Sequence, residues 1–133
     1  DLQGKSILKT QEKYYLADIS LKYALMGYNR KMLDGVMENI VFLELIRRGY
    51  TVYVGQLAKG EIDFVAQKAG VTEYYQVSET VLDSNTLNRE LAPLKAVQDQ
   101  YPKFLLTLDE LNKNANYDGI QQRNVLEWLL ESC

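Results

Sequence analysis

The chain has 133 residues, of which 47% are apolar and 25% are charged, and this size and composition predict one globular domain with its own core. It contains no histidine, and its single cysteine is Cys133, so a Ser-His-Asp or Cys-His nucleophile, a histidine-built metal site and an internal disulfide are excluded. Eighteen acidic against fifteen basic residues leave a net charge of −3. If the domain performs catalysis, carboxylates must carry it, and any contact with DNA must be local.

The start of the chain has neither a hydrophobic segment nor a signal-peptide layout, and no run of about eighteen apolar residues follows. We therefore predict a cytoplasmic protein with no membrane partner. Because the chain begins at Asp1 and residues 1–14 are polar, we expect a piece of a longer protein. Residues 1–30 are interpreted as a polar lead and short helix left from a preceding region, and residues 31–133 as a single domain.

The N-terminal third predicts two helices. Asp18 is a candidate N-cap for a helix over 19–26, which Gly27 would end. A second helix is predicted over 33–48, where apolar residues recur at helical spacing, and Gly49 would end it. The residues that set this second pattern are Leu33, Val36, Met37, Ile40, Val41 and Leu45.

The middle of the chain predicts three successive strands. Alternating side chains and many β-formers indicate a strand over 50–57. After a turn at 58–60, further strands are predicted over 61–67 and 73–78. The turn near Gly70 between these last two strands indicates a hairpin.

The remaining elements predict a crossover. A helix is expected over 86–98, in which Pro93 would cause a kink or start a new helix. A fourth strand over 103–107, an extended piece over 119–122 and a closing helix over 125–130 follow. A helix between strands of one sheet implies parallel pairing, so we predict an α/β fold with a mixed sheet in the order α-β-β-β-α-β, flanked by helices.

Four acidic residues fall where the pattern expects apolar side chains, and such a charge must be paired or functional. For Glu44 we favour pairing with nearby arginines, and for Glu61 we favour solvation beside the turn. Asp63 stands among apolar neighbours in a strand, where aspartate is unfavourable, so a functional role is preferred. For Glu38 both interpretations stay open.

Side-chain alternation in the second strand makes a further prediction. Glu61 and Asp63 are two residues apart, so they are expected to share one face of the strand. Ile62 and Phe64 would then lie together on the opposite face.

Polar side chains from neighbouring elements are expected to converge. If the second and third strands pair through the turn, Asp63 lies beside Gln76, and Ser78 shares the face of Gln76. A helix packed on that face would bring Glu38 over them. Two carboxylates and an amide oxygen are ligands of the kind that Mg²⁺ prefers, and such a metal activates water against a phosphodiester. The sequence thus predicts a magnesium site formed by Glu38, Asp63 and Gln76.

The spacing of these residues carries a family resemblance. Glu38 lies eleven residues before Gly49, the segment 60–63 reads Gly-Glu-Ile-Asp, and Gln76 follows Asp63 by thirteen residues. This pattern resembles the PD-(D/E)xK, or restriction-endonuclease-like, nuclease superfamily over roughly residues 33–110. The resemblance implies a restriction-endonuclease-like core.

The same resemblance implies roles for individual residues. Glu38, Asp63 and Gln76 would take the metal-ligand places with Mg²⁺ as the cofactor, and Ser78 would take the place of the catalytic lysine. A serine hydroxyl cannot supply the positive charge that lysine places beside the attacking water, so we expect little or no nuclease turnover. Turnover would require another cation to reach the site, from Lys59, Lys68 or Lys95.

Segments 13–18, 37–50, 61–66 and 101–103 are similar to phrases of the C-terminal domain of unknown function in prokaryotic AAA-type ATP-binding proteins. This resemblance implies an N-terminal P-loop ATPase module, followed by a winged-helix segment, as a partner within the same protein. ATP would bind there, because residues 4–6, Gly-Lys-Ser, lack the glycine-rich turn of a P-loop.

Three functions stay open on the sequence. The favoured one is a catalytically degenerate nuclease-like accessory domain that binds DNA or a protein as a regulatory module of the ATPase. An active Mg²⁺-dependent endonuclease is the enzymatic alternative. A partner-docking or oligomerisation domain is the third, for which the ten tyrosines would supply aromatic contact surface.

Overall fold

A computed structural model describes residues 10–26 and 30–131 of the chain. Helices and strands alternate along this part of the chain, as an α/β fold requires. They are α1 (Thr10–Met26), α2 (Arg30–Arg47), β1 (Thr51–Leu57), β2 (Gly60–Lys68), β3 (Val71–Val77), α3 (Ser84–Ala96), β4 (Lys103–Thr107), β5 (Asn116–Tyr117), β6 (Ile120–Asn124) and α4 (Val125–Leu130).

The strands form one six-stranded mixed sheet in the order β1-β2-β3-β4-β6-β5. β1, β2 and β3 pair antiparallel, whereas β3, β4 and β6 pair parallel, and β5 runs antiparallel to β6. Helix α3 joins β3 to its parallel neighbour β4, which is the crossover that parallel pairing needs. The predicted α/β fold with a mixed sheet flanked by helices is confirmed.

Each face of the sheet carries its own apolar core. The larger core lies under α1, α2 and α4 and includes Met37 and Trp128. The smaller core lies under α3 and includes Leu94. The adjacent β4 residues Leu105 and Leu106 belong to the smaller and the larger core respectively, as alternation along a strand requires.

Helix α1 begins at Thr10, well before the predicted start, so the prediction of Asp18 as an N-cap is wrong. Asp18 lies inside the helix and forms an ion pair with Lys22 one turn later, at 3.0 Å. Ala17 and Leu21 are buried in the larger core. The early turns of α1 are polar and carry no apolar periodicity, so the residue pattern does not predict a helix there. Gly27, the predicted stop, lies outside the described residues.

Helix α2 begins three residues before the predicted start and ends at Arg47, one residue before the predicted end, and Gly49 follows as the predicted stop. Gly49 has a φ of 94°, a left-handed conformation that glycine adopts without strain. Its backbone N–H donates to the carbonyl of Ile46 at 2.9 Å, and the N–H of Tyr50 donates to the carbonyl of Leu45 at 3.0 Å. These bonds satisfy the last carbonyls of the helix and turn the chain into β1.

Helix α3 begins two residues before the predicted start, because Asp83 caps it. The Asp83 carboxylate accepts a hydrogen bond from the backbone N–H of Thr86 at 3.0 Å. Pro93 lies inside this single helix, so it does not begin a second one. The two-residue strand β5 was not predicted, because so short a strand has no alternation to detect.

A β-bulge interrupts β2. The register with β1 shifts around Val54, which therefore opposes two residues of β2, Asp63 and Phe64. One extra residue resets the alternation, so Ile62 packs in the smaller core and Phe64 in the larger one. The prediction that Ile62 and Phe64 share a face is wrong for this reason.

Within 10–26 and 30–131, no helix has both the length and the apolar character needed to cross a membrane.

Candidate functional site

The predicted site residues lie at one end of β2 and β3, between α2 and α3. The backbone N–H of Asp63 donates to Gln76 Oε1 at 2.7 Å, and the backbone N–H of Val77 donates to Asp63 Oδ2 at 2.9 Å. Glu38 on α2 lies close enough for its charge to raise the pKa of Asp63. The structure therefore places Asp63 next to Gln76, and Glu38 near Asp63. The Gln76 side chain faces α3, where it donates to the carbonyl of Glu90, whereas α2 packs on the opposite face of the sheet, so the prediction that the helix carrying Glu38 packs on the face of Gln76 is wrong.

Asp63 is the most perturbed carboxylate of the site. Burial raises its pKa to about 7, against the lowering effect of the hydrogen bond from the Val77 N–H. The charges of Glu38, Glu90 and Glu61 raise this pKa further. An acid with such a pKa shares its surroundings with other negative charges, and groups of this kind concentrate at functional sites.

The pKa values of the neighbouring glutamates are raised in the same way. Burial raises the pKa of Glu38, and the charges of Asp34 and Glu61 add to the shift. Burial also raises the pKa of Glu90, where the charge of Arg89 opposes the effect and Asp34 and Glu38 reinforce it. We call the five carboxylates the acidic cluster; they are Asp34, Glu38, Glu61, Asp63 and Glu90.

Besides Asp34, the sequence failed to indicate one further member of the cluster, Glu90. It is half-buried on α3, one position before the core residue Leu91. Its carbonyl oxygen accepts a hydrogen bond from Gln76 Nε2 at 3.3 Å. Only the crossover topology places this part of α3 at the end of β3, so spacing along the chain held no signal for it.

Gln76 is used to hold the fold together. Its side chain is buried, with 3% exposure for the residue. Besides accepting from the Asp63 N–H, it donates through Nε2 to the carbonyl oxygens of Glu61 at 3.2 Å and Glu90 at 3.3 Å. One amide thus links β2, β3 and α3, and the oxygen that a metal would need already serves the backbone.

Ser78 lies one residue beyond β3, since the strand ends at Val77 rather than at 78 as predicted. Its backbone N–H still donates to the carbonyl of Leu106 at 3.0 Å. Its hydroxyl donates to the carbonyl of Thr80 at 3.1 Å, so the group in the lysine place supplies no charge. Lys68, a suggested substitute, donates instead to the carbonyl of Arg48 at 2.7 Å.

The donor set does not fit a preformed magnesium site. Over the part of the chain that the structure describes, no three Asp, Glu or Cys side chains are placed to hold a metal ion. The Gln76 oxygen is engaged by the Asp63 N–H, as described above. The roles of Glu38, Asp63 and Gln76 as metal ligands therefore stay a prediction.

Glu44 behaves as the pairing hypothesis predicted. Its two carboxylate oxygens accept from Arg47 Nε at 2.9 Å and Arg48 Nε at 2.6 Å. Arg48 also donates to the carbonyl of Trp128 at 2.8 Å and lies over its ring, 4.4 Å from the centroid. Glu61 is exposed, as expected, and accepts a hydrogen bond from Gln56 Nε2 at 2.9 Å.

Comparison with known proteins adds one relative. No family model matches the chain, and no solved structure matches it. Over 131 residues, 98% of the chain, it is 38% identical to an uncharacterized protein of Haemophilus influenzae. The chain spans 32% of the length of that relative, so the similar region is one part of a larger protein there.

Proposed function

We propose that the chain is a PD-(D/E)xK-type nuclease domain that has lost catalysis and acts as a regulatory binding module of a larger AAA-type ATP-binding protein. The observation that carries this proposal is the engagement of Gln76, a buried amide whose oxygen and nitrogen both bond to backbone. The attachment to an ATPase rests on the sequence resemblance. The greater length of the Haemophilus relative leaves room for such a module.

The order of elements supports the nuclease ancestry. From α2 to β4 the chain runs α-β-β-β-α-β, the order that the resemblance implies. Within it, the helix glutamate Glu38 and the strand aspartate Asp63 lie at the same end of the sheet, close enough to couple electrostatically. Two acids far apart in sequence that converge in this way support a former metal site.

The side chains in the places of the catalytic lysine and the third metal ligand, Ser78 and Gln76, support the loss of catalysis. Phosphodiester hydrolysis needs positive charge beside the attacking water and the phosphate. Ser78 bonds to the backbone of Thr80, and Gln76 bonds to three backbone groups. Both side chains now stabilise the ends of strands, and neither is directed to a substrate.

A protein partner fits the charge of the site better than DNA does. The acidic cluster concentrates negative charge at the end of β2 and β3, and such a surface repels phosphates. We therefore favour binding to a protein surface, with the ATPase module of the same protein as the partner and DNA as the weaker candidate.

An active Mg²⁺-dependent endonuclease is the second candidate. The observation that favours it is the pKa of Asp63, which burial and neighbouring carboxylates raise to about 7. A divalent cation would relieve this repulsion and would draw on Glu38 and Asp63 as oxygen ligands.

Cleavage of supercoiled and linear DNA with Mg²⁺ or Mn²⁺ separates the two candidates. The wild-type chain should leave both substrates intact and should bind no Mg²⁺ in calorimetry. A Gln76→Glu/Ser78→Lys variant restores the charges of the family pattern and should gain metal-dependent cleavage, which a further Asp63→Ala change should abolish.

Two results would count against the proposal. Cleavage by the wild-type chain that Asp63→Ala removes would make it an active endonuclease. A folded Gln76→Glu/Ser78→Lys variant that binds no metal and cuts no DNA would remove the support for a nuclease ancestry. A gel shift of DNA by the wild-type chain at low salt, lost at high salt, would move the binding proposal from protein to DNA.

A further inference from the structure

The two edges of the sheet are protected very differently. Native proteins shield free edges with short strands, charged side chains or proline. Strand β5, at one edge, has only two residues, Asn116–Tyr117. Strand β1, at the other edge, has seven residues, Thr-Val-Tyr-Val-Gly-Gln-Leu, with neither a charge nor a proline. The β1 edge therefore lacks these protections.

The side chains along this edge are apolar and open to solvent. Tyr53 is 53% exposed and Val54 is 55% exposed, and Leu57 is also exposed. Helix α2 extends the apolar surface, because the exposed ring of Phe42 lies 6.1 Å from that of Phe64. Phe64 is one of the two residues that oppose Val54 across the β1–β2 pair. The exposed apolar side chains of β1 and α2 together form one apolar surface at this edge of the sheet.

The backbone of β1 also has unused bonding capacity. On one side β1 pairs with β2 from Thr51 to Leu57. On its other side no strand lies within the described ranges 10–26 and 30–131. Backbone groups of an edge strand that point away from the sheet form a template for a further strand.

We propose that β1 pairs antiparallel with β1 of a second copy of this chain, about a two-fold axis at Val54. The six strands of each copy would then form one continuous sheet. In such a pair a strand faces its own sequence, so a charge near the axis would meet the same charge. The uncharged sequence of β1 avoids this repulsion, which is why a second copy is the occupant that fits best.

The register about Val54 places compatible side chains of the two copies opposite one another. Tyr53 of one copy would face Gly55 of the other, and a glycine has no side chain to oppose the ring. Aromatic residues stabilise strand pairs across from glycine in this manner. Val54 would face Val54, and two β-branched side chains suit a pleated surface.

Sedimentation velocity over a range of concentrations tests the pairing. The wild-type chain should form a dimer that dissociates on dilution. Val54→Lys places two like charges at the axis and should raise the dissociation constant at least about tenfold. Leu82→Lys is the matched control, since Leu82 is 57% exposed and lies outside the strands, and it should leave the dissociation constant unchanged.

Amide hydrogen exchange locates the contact. Protection of β1 amides should increase with chain concentration in the wild type and not in Val54→Lys, with equal circular dichroism for both. A chain that stays monomeric at every concentration overturns the proposal and leaves the edge to a strand from another protein or region. A dimer that Val54→Lys leaves intact overturns it too, and would assign the contact to another surface, such as the exposed side of α1 with Tyr15 and Tyr23.

Discussion

Glu38 and Glu44 lie six residues apart on α2, yet they have opposite electrostatic surroundings. Glu44 is 4% exposed and binds two guanidinium groups. Glu38 faces other carboxylates, and its pKa is raised by burial and by Asp34 and Glu61. Glu44 is buried and balanced by cations, which gives it a structural explanation, whereas Glu38 is only partly buried and lies among like charges, an arrangement typical of functional sites.

The difference comes from what surrounds the middle and the C-terminal end of the helix. Near Glu44, Arg48 lies one residue beyond α2 and contacts the carbonyl and ring of Trp128 on α4, so the ion pair is part of the contact between these helices. Near Glu38, the end of β2 contributes Asp63 and α3 contributes Glu90, and both carry the same charge as Glu38. The surroundings of Glu44 thus stabilise the contact between α2 and α4, whereas the like charges around Glu38 lower the stability of the fold.

Removing the carboxylate of Glu44 should have the largest effect on stability. Glu44→Ala would leave the buried Arg48 guanidinium without its carboxylate, so we expect the free energy of unfolding to fall by about 3–5 kcal/mol. Urea denaturation measures the change. Asp18→Ala is the control, because its ion pair with Lys22 lies at the surface and should be worth no more than about 0.5 kcal/mol. Equal losses in both variants would show that Glu44 does not stabilise the helix contact.

Placing an acid at position 76 should have a somewhat smaller effect on stability. Gln76→Glu replaces an amide that donates to the carbonyls of Glu61 and Glu90 by a carboxylate that repels them, beside Asp63. We expect a loss of about 2–4 kcal/mol in the free energy of unfolding. The loss should shrink in acid, where the new carboxyl is protonated. A neutral result at pH 8 would mean that the amide bonds of Gln76 do not hold β2 to β3 and α3.

Neutralising Asp63 should stabilise the chain, and only at higher pH. The pKa of Asp63 in the folded chain is about 7, above its usual value of 3.8, so the folded state binds the proton more tightly. The stability that this group contributes is complete below about pH 4 and is lost as the pH rises through 7.

The free energy of unfolding of Asp63→Asn should therefore exceed that of the wild type by roughly 1–3 kcal/mol at pH 8. At pH 4 the two free energies should be equal. Thermal melts at both values check this. A stability difference between the two chains that is the same at both pH values would place Asp63 outside the acidic cluster.

Much of the fold followed from local patterns. The apolar spacing of 33–48 and the alternating runs before and after Gly60 are long enough to define α2, β1 and β2, and the helix between β3 and β4 implied their parallel pairing. The convergence of Asp63 and Gln76 followed from a simple hairpin register, which the 2.7 Å hydrogen bond between them matches.

What the sequence could not predict depends on long-range contacts. The bulge at Asp63 is a property of the β1–β2 register and has no composition of its own. Glu90 joins the acidic cluster only because α3 crosses the end of β3. The partners of Gln76 are backbone groups of distant elements, and backbone groups are the same at every position, so no residue pattern could reveal them.

The bulge in β2 also sets how the chain can vary in length. Residues before it supply the core beneath α3 with Ile62, and residues after it supply the core beneath α2 with Phe64 and Ala66. Deleting a single residue here would move the side chains of one of these two segments to the opposite face of the sheet. Apolar side chains would then become exposed and polar ones buried. This short stretch must therefore keep its residue count.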